Sequence, residues 1–260
     1  MKYQPQLDGL RAVAILAVFV QHAFPVPLLW AGVDLFFILS GYLITSILVR
    51  DREKHTFGTL AKNFYLRRAQ RILPAYLLFL GFVAIFAAEN LHGMGLYLVT
   101  FFQNVPFAFH WMRIGALDPL WSLAVEQHFY LLWPVVIFFI PRRWVIRILL
   151  ATLVLVPVLR ALCTPLFSSP DAIYSLTPFR IDAMAVGALA AFLLPHVNRQ
   201  TAIRWAKAAM VSGMALYVVG NHFSAFHRQA NTAIFNGLGY SLNLLVLGGL
   251  FVWVTLDEGS

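Results

Sequence analysis

The sequence predicts an all-α fold, a polytopic bundle of transmembrane helices. Hydrophobic residues make up 60% of the 260-residue chain and charged residues only 12%, which is about half the charged fraction of an ordinary soluble domain. The mean hydropathy is +0.76. The apolar residues fall in runs long enough to cross a bilayer, where a helix satisfies its backbone hydrogen bonds without water. We therefore expect a single membrane-embedded domain, residues 1–260, with about eight spans.

The spans follow from apolar runs separated by prolines or charges. The first run begins after a basic amino terminus, lacks a small-x-small cleavage site and is expected to be a retained anchor. It forms a hairpin with the second run, because Pro25 and Pro27 stop the helix between them. Seven cations then mark a loop at about 50–71. The predicted spans are 12–29, 33–49, 72–88, 119–140, 145–162, 178–195, 205–222 and 237–256, with a shorter amphipathic or re-entrant helix at about 94–105.

The distribution of charge predicts the orientation. If the amino terminus is cytoplasmic, all but four of the 19 Lys and Arg residues fall on that side or at its edge. This asymmetry follows the positive-inside rule. The formal net charge of +8 therefore reports membrane topology, and we expect no nucleic-acid partner.

Arg11 and His22 lie in the first apolar run, LDGLRAVAILAVFVQHAF. Eleven positions make almost three helical turns, so both side chains project from one face with a rise of roughly 16 Å between them. Polar groups at such depth are costly and usually functional. The alternative is a snorkelling Arg and a packed His with a backbone partner.

Glu126 lies in another apolar segment, the predicted helix LWSLAVEQHFYLLWP. A carboxylate there needs a proton, a cation or a wet cavity, and we expect it to pair with His22 or Arg180. The alternative is an interhelical hydrogen bond. His128 is two residues on and does not share a face with Glu126.

Asp34 opens the second span in GVDLFFILSGYLIT, where its residue type and position favour a helix N-cap. Ser40 and Gly41 follow in mid-span, where two small residues allow a close helix approach. Ser40 as a nucleophile is a weak hypothesis, because the sequence supplies it with no base.

Arg68 and Arg71 are three residues apart at the expected inner entrance of the third span. They share a helix face and could grip a phosphate or pyrophosphate together. Anchoring to anionic headgroups explains them equally well. Likewise, Arg180 and Asp182 are either a structural charge cluster or a substrate contact.

Several chemistries lack their signatures in this sequence. There is no H-E-x-x-H, G-x-x-x-x-G-K-[ST], G-x-G-x-x-G or G-x-S-x-G pattern. Cys163 is alone, so an intramolecular disulfide is impossible, and no Cys/His cluster suggests zinc. We expect no metal and no bound cofactor.

Four segments in order carry a resemblance: LDGLRAVAILAVFVQHAF, GVDLFFILSGYLITSIL, FYLRRAQRILPAYLL and LWSLAVEQHFYLLWP. FRIDAMAVGALAAF is a weaker fifth. The chain thereby resembles the bacterial integral-membrane O-acyltransferases of acyltransferase family 3. The resemblance implies an enzyme of the inner (plasma) membrane that moves an acyl group, commonly acetyl, from cytoplasmic acyl-CoA to a hydroxyl. The implied acceptor is a surface glycan or an exported small molecule.

The family pattern of a basic residue, ten intervening residues and a histidine maps onto Arg11 and His22. The resemblance gives these working roles: His22 is a general base or transient acyl carrier, oriented by Glu126, and Arg11 stabilises the thioester oxyanion or the polar network. Arg68 and Arg71, with Arg11, steer the CoA phosphates. The remaining expected substrate contacts are Asp34, Ser122 and Tyr130.

The family's Glu-Glu-Gln run is Glu126-Gln127-His128 here, and the family usually continues for two further spans. We therefore expect this chain to lack those spans. Two other functions remain open: a transporter or flippase of a polar or lipid-linked solute, and a truncated non-catalytic membrane subunit.

Overall fold

The computed structural model describes residues 5–24, 29–112, 115–223 and 226–257, without the side chain of His22. The predicted proline turn at 25–28 lies outside this part of the chain. The described residues form helices and no strands. The α-helices are α1 Pro5–Ala23, α2 Gly32–Arg52, α3 Phe57–Phe86, α4 Gly95–Thr100, α5 Asn104–Phe109, α6 Leu120–Phe139, α7 Arg142–Cys163, α8 Asp171–Ser175, α9 Ile181–Leu193, α10 Arg199–Asn221 and α11 Tyr240–Leu256.

Within the described residues, six helical segments are long and apolar enough to cross a membrane. The other two predicted spans correspond to α1, which has 19 residues, and to the shorter helix Ile181–His196. The all-helical membrane fold is therefore confirmed, while the count of eight spans stays a prediction. The six segments are Leu29–Arg52, Phe57–Phe86, Leu120–Phe139, Arg142–Leu166, Arg199–Asn221 and Phe235–Leu256.

Helix α2 is the centre of the bundle. Of its most apolar stretch, 67% is buried inside the protein, against 11% for α3. Helix α2 packs on α1, α6 and α9, and α3 lies toward the periphery. Polar residues on α2 are thus placed inside the bundle, where a neighbouring helix must supply their partners.

Two glycines set the crossing of α2 and α9. A Cβ at Gly41 would overlap the carbonyl oxygen of Met184, and a Cβ at Gly187 would overlap that of Ile38. The close approach predicted at Gly41 is confirmed. Small residues permit such contact between backbones, as is common in membrane bundles.

Three element boundaries differ from the prediction. Helix α1 ends at Ala23 rather than near residue 29, which places the backbone of His22 in its last turn and not in mid-span. Helix α3 begins at Phe57 rather than near residue 72. Arg68 therefore lies eleven residues inside the helix, roughly 16 Å from its start, while its expected place at the inner entrance of the membrane span stays a prediction.

The third difference concerns the predicted helix at about 94–105, which is two short helices, α4 and α5. Helix α4 ends because Phe101 adopts a left-handed conformation, with φ of 59°. Such a residue commonly caps a helix. The break places Phe101 and Phe102 against α3 and α6, beside the site described next.

Candidate active site

A cavity of about 310 Å³ lies among α1, α2, α3 and α6. Its walls combine aliphatic side chains with an unusual set of polar ones for the interior of a membrane bundle. The polar residues that line it are Arg11, Ser40, Arg68, Arg71, Glu126 and Tyr130. Five of these were predicted site residues, from three separate segments of the sequence, and Ser40 was a weak candidate.

Glu126 is held by hydrogen bonds across two helices. The Ser40 hydroxyl on α2 donates to Glu126 Oε1 at 2.5 Å. The Tyr130 hydroxyl, one turn after Glu126 on α6, donates to Ser40 Oγ at 3.2 Å. One carboxylate oxygen therefore has a fixed donor, and the chain of two hydroxyls sets its orientation.

A third bond between the same two helices keeps this arrangement in register. Trp133 Nε1 on α6 donates to Thr45 Oγ1 on α2 at 2.8 Å, and this bond is buried. A buried hydrogen bond between helices resists sliding, because either partner left alone would be unsatisfied. Three hydrogen bonds between side chains of α2 and α6 thus fix the position of Glu126 relative to Ser40.

Arg68 supplies positive charge from α3. Its guanidinium lies over the rings of Phe64 and Tyr130, at 5.7 and 5.5 Å from their centroids. Cation–π contacts of this kind hold the planar group in place. Arg71 is three residues on and lines the same cavity. Both guanidiniums therefore face the same space, as the spacing of the two residues predicted.

Arg11 lines the cavity from α1 and has a partner on its own helix. Its Nη1 lies 2.6 Å from Asp8 Oδ1, and the two side chains are 29% and 46% exposed. An exposed pair contributes little to stability. The bond to Asp8 engages one nitrogen, Nη1, of a guanidinium that carries five N–H donors.

His22 is the one predicted catalytic residue whose side chain lies outside the described residues. Its expected pairing with Glu126 stays a prediction. The alternative pairing of Glu126 with Arg180 is wrong, because Arg180 Nη2 donates to Asp34 Oδ1 instead.

Asp34 does not line the cavity. Its predicted role as an N-cap is also wrong, since α2 begins without a side-chain cap bond. The carboxylate is buried between Arg180 and Asn243, whose Nδ2 donates to Oδ2 at 2.7 Å. Beside this pair, Arg160 Nη1 lies 2.8 Å from Asp182 Oδ2. Asp34 belongs to a buried network of two ion pairs, whose four charged side chains are at most 3% exposed.

Aromatic rings surround the Arg180 end of this network. Its guanidinium lies 5.1 Å from the ring centroid of Tyr174 and 4.9 Å from that of Tyr240. Burial raises the pKa of the Tyr174 hydroxyl, on the short helix α8, to about 12. The neutral ring contacts the Arg180 guanidinium through its π face.

Ser122, another expected substrate contact, lies outside the cavity as well. Its hydroxyl donates to the carbonyl of Pro119 at 3.2 Å in the first turn of α6. Among the described residues, no group of three or more His, Cys, Asp or Glu side chains is placed to hold a metal ion.

The residues that line the cavity come from distant parts of the sequence, and the contact between Ser40 and Glu126 was not predicted. Ser40 and Glu126 are 86 residues apart, and no local pattern links them. The sequence did show one signal: Ser40 is a polar side chain on an apolar helix that is mostly buried, so it needed a partner on a neighbouring helix.

The family model described as an acyltransferase domain matches residues 4–259. The chain belongs to acyltransferase family 3. The Listeria monocytogenes peptidoglycan O-acetyltransferase OatA is 32% identical to it over 264 residues, covering 91% of this chain and 42% of that protein. The Staphylococcus aureus O-acetyltransferase OatA is 35% identical over 214 residues, covering 75% of this chain and 35% of that protein.

This family member thus spans less than half the length of the curated relatives that it matches. No solved structure gives a significant match to it.

Proposed function

We propose that this protein is a membrane-bound O-acyltransferase that moves an acyl group from acyl-CoA to a hydroxyl of a cell-envelope glycan or exported small molecule. The observation that carries the proposal is one cavity that is lined by Arg11, Arg68 and Arg71 and also by Glu126, which is hydrogen-bonded to Ser40. Relatives named as O-acetyltransferases support it, and an acetyl group is the expected cargo.

The donor is a substrate and not a bound cofactor. Acyl-CoA carries phosphates at one end and a thioester at the other. Guanidinium groups bind phosphate strongly through paired hydrogen bonds. We assign Arg68 and Arg71 to the CoA phosphates, with Arg11 either beside them or at the thioester oxygen.

The transfer replaces one bond with another. The acceptor oxygen attacks the thioester carbonyl carbon, a C–O bond forms, the C–S bond breaks, and the hydroxyl proton ends on the CoA thiol. His22 accepts that proton as general base, or takes the acyl group first and passes it on. Glu126 orients or charge-compensates the imidazole, and Tyr130 with Ser40 fixes Glu126.

The protein is proposed to lie in a bacterial inner membrane with a cytoplasmic amino terminus and with lipid around its outer faces. The donor then approaches from the cytoplasm and the acceptor from outside. This agrees with the positive-inside distribution of Lys and Arg.

Mass spectrometry of envelope glycans tests the proposal. Cells that carry the protein should gain an ester on a glycan hydroxyl, and cells with His22→Ala should not, although the variant still inserts. His55→Ala, at an exposed position between α2 and α3, is the matched control and should retain the ester. Glycans without added ester in cells that carry the protein would contradict the proposed function. Full activity in His22→Ala would contradict the role of the histidine. A transporter gives no ester in any of these cells.

A further inference from the structure

A second polar cavity, of about 350 Å³, lies beside the amino-terminal end of α6. Its walls come from α5, from the first residue of α8 and from the chain that leads into α6. In the predicted orientation these segments fall on the outer side of the membrane. None of them contributes to the cavity that holds Glu126. The residues that line the second cavity are Pro106, Phe107, His110, Met112, Gly115, Asp118 and Asp171.

Side-chain contacts give this outer cavity a fixed shape. Asp171 Oδ2 accepts a hydrogen bond from the Ser169 hydroxyl at 3.0 Å, and it lies 3.1 Å from His110 Nε2 on the facing wall. Asn104 on α5 donates to the carbonyl of Ser175 on α8 at 3.1 Å, and this bond is buried. The two walls are thus tied together both at the cavity and behind it.

These contacts leave hydrogen-bonding groups unused at the cavity. Asp171 Oδ1 lies 3.9 Å from Arg228 Nη2, which is too long for a hydrogen bond, although the guanidinium offsets part of the negative charge. His110 uses its Nε2 toward Asp171, and its Nδ1 makes no hydrogen bond within the described part of the chain. A ligand with neighbouring hydroxyls can donate to the carboxylate and bond to the imidazole.

The chemistry of the lining favours an uncharged, hydroxyl-rich ligand. Asp118 and Asp171 disfavour an anion, and an acyl chain would leave both carboxylates facing hydrocarbon. Arg228 beside Asp171 reduces the attraction for a cation, and the described residues include no His, Cys, Asp and Glu cluster that could hold a metal ion. Phe107 and Met112 add an apolar surface that suits the C–H face of a sugar ring.

The size and place of the cavity indicate which part of a ligand binds there. Its volume is near the lower end of the usual range for small-ligand sites, about 300–1,000 Å³, which suits one or two sugar rings. Asp118 precedes α6, and Glu126 lies six residues after the start of that helix, a rise of roughly 9 Å. A ring bound in the outer cavity is therefore a neighbour of the acylated ring and not that ring itself.

We propose that the outer cavity is a subsite that recognises a non-reacting sugar residue of an uncharged acceptor glycan. The inference rests on the proposed function, and it narrows the acceptor from any exported hydroxyl compound to an extended glycan. His110, Asp118 and Asp171 bond to the sugar hydroxyls, and Phe107 contacts the ring face. Contacts to a remote part of the acceptor hold its reacting part in place.

Binding of uncharged tetrasaccharides to the full chain in nanodiscs tests the inference without a donor. The probes are tetrasaccharides of glucose, galactose, mannose and N-acetylglucosamine, and isothermal titration calorimetry measures each Kd. The wild type should bind at least one of them. His110→Asn removes the imidazole, and Asn tolerates the left-handed backbone at this position, where φ is 53°. This variant should raise the Kd about tenfold or more.

Asp118→Asn retains the shape of the side chain and should raise the same Kd to a similar extent, which decides the question if His110→Asn does not fold. His222→Asn is the matched control, because His222 is exposed at the end of α10 and does not line the cavity. Its Kd should equal that of the wild type.

Transfer from acetyl-CoA to the bound tetrasaccharide separates recognition from support of the fold. His110→Asn and Asp118→Asn should raise the KM for the glycan about tenfold or more and leave the KM for acetyl-CoA unchanged, because the donor binds in the other cavity. A residue that only supports the fold would change both KM values.

A wild type that binds none of the tetrasaccharides, or a Kd that neither variant raises, would overturn the inference. Ester formed on a glycan together with either result would leave the proposed function intact. Glycan binding that the variants weaken, without any ester formed from acetyl-CoA, would contradict the proposed function and leave the subsite in place.

Discussion

The Ser40 hydroxyl on α2 donates a 2.5 Å hydrogen bond to Glu126 on α6, inside a cavity lined also by three arginines. The bond joins α2, the most buried of the six long apolar segments, to the helix that carries the family's acidic residue. It gives Ser40 a role that needs no nucleophilic chemistry, because the bond fixes one oxygen of the Glu126 carboxylate.

Ser40→Ala tests that positioning role. A hydrogen bond to a charged group is worth about 1.5–3 kcal/mol, so we expect kcat to fall roughly tenfold with insertion and donor binding preserved. Ser40→Thr, which retains a hydroxyl, should recover part of the activity. Loss of all turnover in Ser40→Ala would instead indicate a nucleophile.

Arg68→Gln should weaken donor binding more than turnover. The substitution removes the charge but retains a planar polar group near Tyr130, so KM for acyl-CoA should rise about tenfold or more, with a smaller change in kcat. Arg147→Gln is the control, because Arg147 lies on the exposed side of α7 over Trp144, at 4.7 Å. An unchanged KM in Arg68→Gln would indicate that Arg68 serves only as a membrane anchor.

Asp34→Ala should destabilise the bundle strongly. It leaves Arg180, which is 1% exposed, without its carboxylate, and removal of one partner of a buried ion pair costs about 3–5 kcal/mol. Thermal unfolding in detergent measures the effect. Asp8→Ala removes the partially exposed partner of Arg11 and should change stability by less than about 1 kcal/mol. A stable Asp34→Ala protein with a raised KM would restore Asp34 as a substrate contact.

Gly41→Ala should also destabilise the protein, by at least about 2 kcal/mol, because its Cβ would overlap the backbone of α9 and a backbone cannot move as a side chain can. Gly81→Ala on α3 is the matched control, since nothing lies within 4 Å of its Cβ. That variant should be neutral or slightly more stable. Equal unfolding temperatures for the two variants would contradict the close crossing of α2 and α9.

The orientation can be measured with single cysteines in a Cys163→Ser background. Lys54→Cys lies between α2 and α3, and Ser168→Cys lies between α7 and α8. If the amino terminus is cytoplasmic, a membrane-impermeant maleimide should label Ser168→Cys in intact cells and Lys54→Cys only after permeabilisation. The reverse pattern would invert the topology.

The elements and much of the cavity could be predicted because their signals are local. Apolar length predicts a membrane helix, and the three-residue spacing of Arg68 and Arg71 predicts a shared face. The start of α3 was missed because polar residues such as Lys62 and Asn63 lower its early hydropathy, although they do not prevent a helix from extending beyond the hydrocarbon layer.

Partnerships between distant helices could not be predicted in the same way. Asp34 has the residue type and position of an N-cap, and its local sequence gives no sign of Arg180, 146 residues on. The same is true of Ser40 and Glu126. Which buried polar groups meet depends on helix packing, and that packing is set by the whole bundle rather than by any one segment.

Transfer of labelled acetyl from acetyl-CoA to peptidoglycan fragments, compared between wild type and Glu126→Gln in nanodiscs, tests the central claim most directly. The substitution keeps the shape of the side chain and removes its charge. We predict that kcat falls at least about a hundredfold, the scale of a lost acid–base or charge-compensating group, while the protein stays folded and bound to donor. Wild-type rates of acetyl transfer in Glu126→Gln would contradict the claim that this cavity is where the acyl group is transferred.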